Sequence, residues 1–120
     1  MVLLYAAIAA ASLAAGSAVP VFIWLAPLLL GQPFLRLYLL AEHGGCPYGP
    51  DMLENSRTTH TTWLVRKLAW NMPFHAEHHS LPGVPFHRLP QFHALIKEHL
   101  KVTEDGYIRF HRHFTEGLGR

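Results

Sequence analysis

The sequence predicts an all-α membrane protein, with a transmembrane helical hairpin followed by a cytosolic helical cap. Three observations carry that prediction. Half of the 120 residues are hydrophobic and only 15% are charged. The charge is one-sided: residues 1–41 hold a single charged side chain, Arg36, while the remainder holds nine Lys or Arg and all eight Asp or Glu. Two apolar runs, residues 2–18 and 19–40, stand back to back at the beginning. The length allows one domain, with the hairpin in 1–41 and the cap in 42–120.

As helices, the first run spans roughly 25 Å and the second roughly 33 Å, against a hydrocarbon core of about 30 Å. Gly31, Gln32 and Pro33 interrupt the second run, which can cross with a tilt or a kink. Gly16, Ser17 and Pro20 favour a tight reversal between the two. The residues that follow are too few, and too rich in Pro, Gly and His, to bury both helices in a soluble core. A cleaved signal peptide is the competing reading, since residues 14–18 are all small. No basic segment precedes them, however, and a second apolar run follows where a polar mature protein would begin. Arg36 can snorkel to the interface. Arg57, Arg66 and Lys67 come after it, so the positive-inside bias puts the polar half in the cytosol, at a bacterial inner membrane or the endoplasmic reticulum.

From Glu42 the chain turns to a loop marked by Gly44, Gly45, Pro47, Gly49 and Pro50. Residues 56–71 then read as an interfacial amphipathic helix, with Trp63 and Trp70 at headgroup level and Arg66 and Lys67 facing water. Pro73 ends it, and a short helical segment carries a cluster of histidines. A loop with Pro82, Gly83, Pro85 and Pro90 leads to a helix near residues 91–101. The tail holds a turn at Asp105-Gly106 and a short strand or ragged helix.

The formal net charge is +2, with ten histidines counted neutral. That is too small and too interspersed for a nucleic-acid surface. The lone Cys46 can form no internal disulfide and belongs to no CxxC pair, so it reads as a bystander in a loop.

The chemistry lies at His75-Ala76-Glu77-His78-His79. At about 100° per residue, the three histidines share an arc of roughly 100° and Glu77 points the other way. Imidazoles in that arrangement suit iron, zinc, copper or nickel, and neutral histidine adds no net charge beside a membrane. The spacing is not that of an HExxH zincin, whose Glu follows the first His directly. The plain alternative is a surface cluster of titrating histidines.

These residues and their flanks resemble the membrane fatty-acid desaturases and hydroxylases with histidine boxes. The resemblance runs through Ala41-Glu42-His43-Gly44, Asn55-Ser56-Arg57-Thr58-Thr59, Trp70-Asn71-Met72-Pro73-Phe74-His75-Ala76-Glu77-His78-His79, Val84-Pro85-Phe86-His87 and Leu89-Pro90-Gln91-Phe92-His93. It implies a helical membrane protein whose cytosolic cap holds two irons that activate dioxygen against an unactivated C–H bond of a lipid acyl substrate. Electrons would come from a ferredoxin or cytochrome-type donor. His75, His78 and His79 match the third histidine box and are implied iron ligands, and His43 matches an extra histidine ligand.

His43 lies three residues past Leu40, where the chain would emerge at the membrane face. The alternative is an ordinary helix-end histidine near the negative pole of the dipole. Glu42 and Asn55 are candidates for orienting imidazoles, and Asn55 serves equally as a helix N-cap. His60 reads as structural or exposed. His87 and His93 could line the cap or a reductase surface, and His99, His111 and His113 read as solvated.

The family's pattern also has two earlier histidine boxes, and no histidine precedes His43. The chain thus resembles the C-terminal part of a desaturase, with one incomplete site of its own. It would be a fragment, a split enzyme completed by a separate chain with the missing boxes, or a remnant. Two functions stay open: a desaturase-like oxidoreductase of lipid metabolism, including a lipid or carotenoid hydroxylase or ketolase, and a non-catalytic membrane protein or interaction partner.

Overall fold

The computed structural model describes residues 1–119. Contacts divide the chain into two compact units, Met1–Leu37 and Tyr38–Arg120.

The first unit holds α1 (Val2–Ala14) and most of α2 (Val19–His43). α1 ends in a Schellman turn: Gly16 takes φ +58°, its amide donates to Leu13 O, and the Ser17 amide reaches back to Ser12 O at 3.0 Å. Helix α1 therefore stops at Ala14 and not at residue 18, and its 13 residues span only about 20 Å. α2 has 25 residues and is, among the described residues, the one helix long and apolar enough to cross a membrane. The sequence predicts two such legs. The difference arises because the left-handed glycine and its neighbours take the last residues of the first run into the turn. α2 continues through Gly31, Gln32 and Pro33 without a break and carries Pro27 and Pro33 in its interior. Phe22, Ile23, Leu29, Leu30 and Phe34 on it are exposed, a surface suited to lipid.

The second unit is built from the end of α2 and from β1 (Thr58–Thr59), α3 (Trp63–Leu68), α4 (His75–Ser80), α5 (Leu89–Ile96), β2 (Thr103–Glu104) and α6 (Tyr107–Leu118). Two 3-10 turns, Phe86–Arg88 and Lys97–His99, flank α5. Its small core consists of Ala41, Phe74, Ala76, Leu89 and Phe110, together with buried Glu42, Ser56, Arg57, Thr58, Thr59 and Glu77.

The interfacial helix expected over 56–71 shrinks to the six residues of α3. The β-branched pair Thr58-Thr59 is instead a fully buried strand, parallel to β2 with Thr58 opposite Thr103 and Thr59 opposite Glu104. Thr62 then caps α3, its Oγ1 accepting from the Val65 amide at 3.4 Å. α3 ends at Leu68, before Pro73, because Trp70 (φ +55°) and Asn71 (φ +58°) both enter the left-handed region and reverse the chain. Trp63, Leu68 and Trp70 remain exposed. Pro90 lies in the first turn of α5, where its missing amide costs nothing, so that helix begins earlier than expected. The tail forms one continuous helix, α6, after the Asp105-Gly106 turn.

Candidate metal centre

α2 runs three residues beyond Leu40, so His43 is its last residue and not a loop residue after it. The end of that helix is held by Arg57. The Arg57 guanidinium donates to the carbonyls of Ala41 and, at 2.9 Å, Gly44. Its backbone amide donates to Glu42 O at 2.8 Å. The Ala41 and Glu42 carbonyls are among those that a helix C-terminus leaves without partners, Gly44 is the residue after it, and a cation there also meets the negative end of the dipole. The guanidinium lies 4.5 Å from the centroid of the Phe110 ring. Arg57 is therefore a buried cap, not one of the free cations flanking the membrane. Gly44 packs against the last turn, where an added Cβ would stand 2.4 Å from Leu40 O. Only glycine fits there.

α4 is positioned by the strand. Thr59 donates its amide to Pro73 O at 2.9 Å, and Thr58 forms an isolated bridge with Phe74, the residue before the helix. Phe74 and Ala76 go into the core, and the arc bearing His75 and His79 faces the end of α2.

The imidazoles of His43, His75 and His79 converge there. His75 Nε2 is 2.8 Å from His43 Nε2 and 3.0 Å from His79 Nε2, and ligand atoms of all three lie within 4.8 Å of one another. Nitrogens near 3 Å apart suit adjacent ligands of one ion with metal–nitrogen bonds of about 2.1 Å. His75 is buried, His79 half-buried and His43 exposed, so the cluster opens on one side. Burial, then the neighbouring His79, His43 and His78, push the His75 imidazole down to about 3. Burial, with His43 and His78, also lowers His79. Both are neutral near pH 7, the form that ligates a metal. On the other side of the His75 ring, Nδ1 lies 3.5 Å from Glu42 Oε2 without a hydrogen bond to it, and His43 Nδ1 faces the Asn55 carbonyl at 3.4 Å. A carboxylate or carbonyl behind an imidazole is the usual support of a histidine metal ligand.

His78 is not part of this cluster. Its ring centroid lies 5.7 Å from that of His79 and 6.2 Å from that of His75. Its Nδ1 is buried with no hydrogen-bond partner.

Of the supporting residues, Glu42 stands behind an imidazole, as the sequence suggests it could. Asn55 does so through its backbone carbonyl. Its side chain donates to Gly49 O at 3.0 Å and caps no helix, because no helix begins there. His60, His87 and His99 are exposed, and His113 reaches Glu104 at 3.2 Å. His93 differs from its expectation. Its Nδ1 contacts Oε1 of the fully buried Glu77, whose Oε2 accepts from Thr58 Oγ1 at 2.6 Å. Sequence reasoning placed Glu77 opposite the histidines but did not identify these partners. A signal existed in part, since a six-residue helix with ligands on one face must bury the other, and a carboxylate there needs donors. Nothing local marks Thr58 or His93 as those donors.

Three converging imidazoles with an open side and a carboxylate behind one of them fit iron as well as other imidazole-loving ions. Compared with known proteins, the chain matches a family model described as fatty acid desaturase over residues 1–112. No curated protein matches it, and no solved structure does.

Proposed function

The chain belongs to the fatty acid desaturase family, and we propose that it is a desaturase-like oxidoreductase of lipid metabolism, acting on a lipid acyl chain at an iron site to which His43, His75 and His79 contribute. The single observation carrying this reading is the convergence of the three Nε2 atoms at the end of α2. Bound iron would supply the activation of dioxygen needed to break an unactivated C–H bond. The chain's own residues do the rest. His43, His75 and His79 hold the ion, with Glu42 and the Asn55 carbonyl behind two of the rings, and Arg57 fixes the helix end on which His43 sits.

In this reading α2 crosses the bilayer and α1 forms the shorter leg of the hairpin, with the cap in the cytosol. The exposed apolar residues of α2 and the cations that follow it support that placement. Dehydrogenating an acyl chain with dioxygen, both oxygens leaving as water, requires two further electrons. A ferredoxin or cytochrome-type donor would supply them. A second iron would take His78, whose ring stands beside the cluster with its centroid 5.7 Å from that of His79. The remaining ligands of a two-iron site would come from the earlier histidine boxes, on the same polypeptide or on a separate chain. Oxygen insertion, as in a hydroxylase or ketolase, uses the same ligands and stays within this proposal.

Expression with upstream sequence or a partner bearing those boxes tests it. Iron in the purified protein and altered acyl chains in the host membrane are expected, and an iron-free protein with an unchanged lipid profile refutes the reading. A non-catalytic membrane protein is the second reading. It predicts that replacing His75, His78 and His79 together by Ala leaves lipid composition unchanged.

A further inference from the structure

Helix α4 has six residues, and the Phe74 ahead of it offers no side-chain cap. A helix that short does not hold itself together. The convergence described above nevertheless depends on its rotation, because one residue step turns a side chain by about 100°. The face opposite the histidines carries the restraint. Glu77 is fully buried there, and each of its oxygens is tied to a different element. Oε2 accepts from Thr58 Oγ1 at 2.6 Å, and Thr58 is fixed in β1, its amide donating to Val102 O at 3.1 Å. Oε1 contacts Nδ1 of His93 on α5, whose ring packs against Phe74 and His60 with centroids 4.7 and 5.7 Å away. A single tether would let the helix rock about it. Two tethers on separate elements define its rotation, and a buried carboxylate keeps both because losing either leaves an uncompensated oxygen.

We propose that Glu77 is a positioning residue, which through Thr58 on one oxygen and His93 on the other sets the rotation of α4 and so brings His75 and His79 onto His43. This rests on reading those three histidines as metal ligands. None of the three residues touches the ion; they act through the helix that carries its ligands.

The test is a Co²⁺ titration of the full chain in detergent, read by the visible absorption of the bound ion and by its dissociation constant, with helical content followed by circular dichroism. Thr58→Val and His93→Leu are expected to bind on the order of 10- to 100-fold more weakly, the loss typical of residues that support metal ligands, with a shifted visible band and unchanged helical content. Thr58→Ser and His93→Asn, which keep a donor at each oxygen, are expected to recover most of the affinity and the band. Wild-type affinity and spectrum in both Thr58→Val and His93→Leu overturn the proposal, as does weakened binding in Thr58→Val that Thr58→Ser does not restore. Where His93→Leu fails to fold, Thr58→Val decides, because it removes one hydroxyl and keeps the shape. A wild-type chain that binds no Co²⁺ overturns the metal reading and the proposal with it, an outcome distinguished by needing no variant at all.

Discussion

Glu42 Oε2 stands 3.5 Å from Nδ1 of His75, on the side of the ring away from the Nε2 that meets His43. Both residues are buried, and they come from elements far apart in sequence, the last turn of α2 and the first of α4. The carboxylate therefore lies beside the central imidazole of the cluster without a hydrogen bond to it, on the helix that supplies the other ligand. Burial pushes the Glu42 carboxyl up to about 7, so Glu42→Gln keeps the shape and removes a charge that is full only above that pH, where it is expected to weaken metal binding by about 10- to 100-fold. Isothermal titration with Co²⁺ measures it, and an unchanged affinity would remove Glu42 from the site.

The four histidines are expected to separate in a single-ion titration. His43→Ala, His75→Ala and His79→Ala each delete one of the three converging Nε2 atoms and abolish binding in the micromolar range. His78→Ala leaves the first ion bound within a few-fold of wild type, since its ring stands outside the cluster. Equal losses in all four variants would show that one ion draws on the whole histidine box.

Arg57 is expected to matter for stability more than any other cation. Arg57→Met removes two charged hydrogen bonds and strands the buried Ala41 carbonyl and the half-buried Gly44 carbonyl. The loss should be about 2–4 kcal/mol, read as a lowered unfolding midpoint of the cap. Arg57→Lys keeps the charge but not the fork, so it should recover only part of that. An Arg57→Met protein as stable as wild type would show that water caps the helix equally well.

The left-handed reversal at Trp70 and Asn71 supplies a further prediction. Asn71 tolerates its φ of +58° better than most residues, and its Nδ2 donates to Phe86 O at 3.1 Å. Asn71→Ala should cost about 1–2 kcal/mol from the backbone and the lost bond, while Asn71→Gly relieves the first and loses only the second. Thermal melts of the two variants should fall in that order, Gly above Ala, and the reverse order would contradict the role given to the backbone.

The parts legible in the sequence are those set by local pattern. The long apolar run marks α2 from its first residue, since lipid accepts such a surface and a small cap cannot cover it. The His75–His79 spacing puts those two rings on one arc by helix geometry, although His78, expected with them, stands outside the cluster, and the motifs around it carry the family. Segments whose fate depends on distant partners were not legible. Residues 56–71 have the Trp, Leu and Arg spacing of an amphipathic helix, yet Thr58 and Thr59 pair with Thr103 and Glu104, more than forty positions away. Arg57 looks like a membrane-flanking cation until Ala41 and Gly44 are seen to need a donor. His43 could be called a ligand only by resemblance, because only the fold brings it within 2.8 Å of His75.

The missing side chain at position 44 offers a way to date the history of this chain. Any residue but glycine would drive a carbon into Leu40 O and push away the helix end that presents His43, a cost to any lineage that still keeps this fold. Under purifying selection position 44 should stay invariant while exposed neighbours such as Tyr48 drift. In a remnant freed of its duty the two positions should mutate at the same pace.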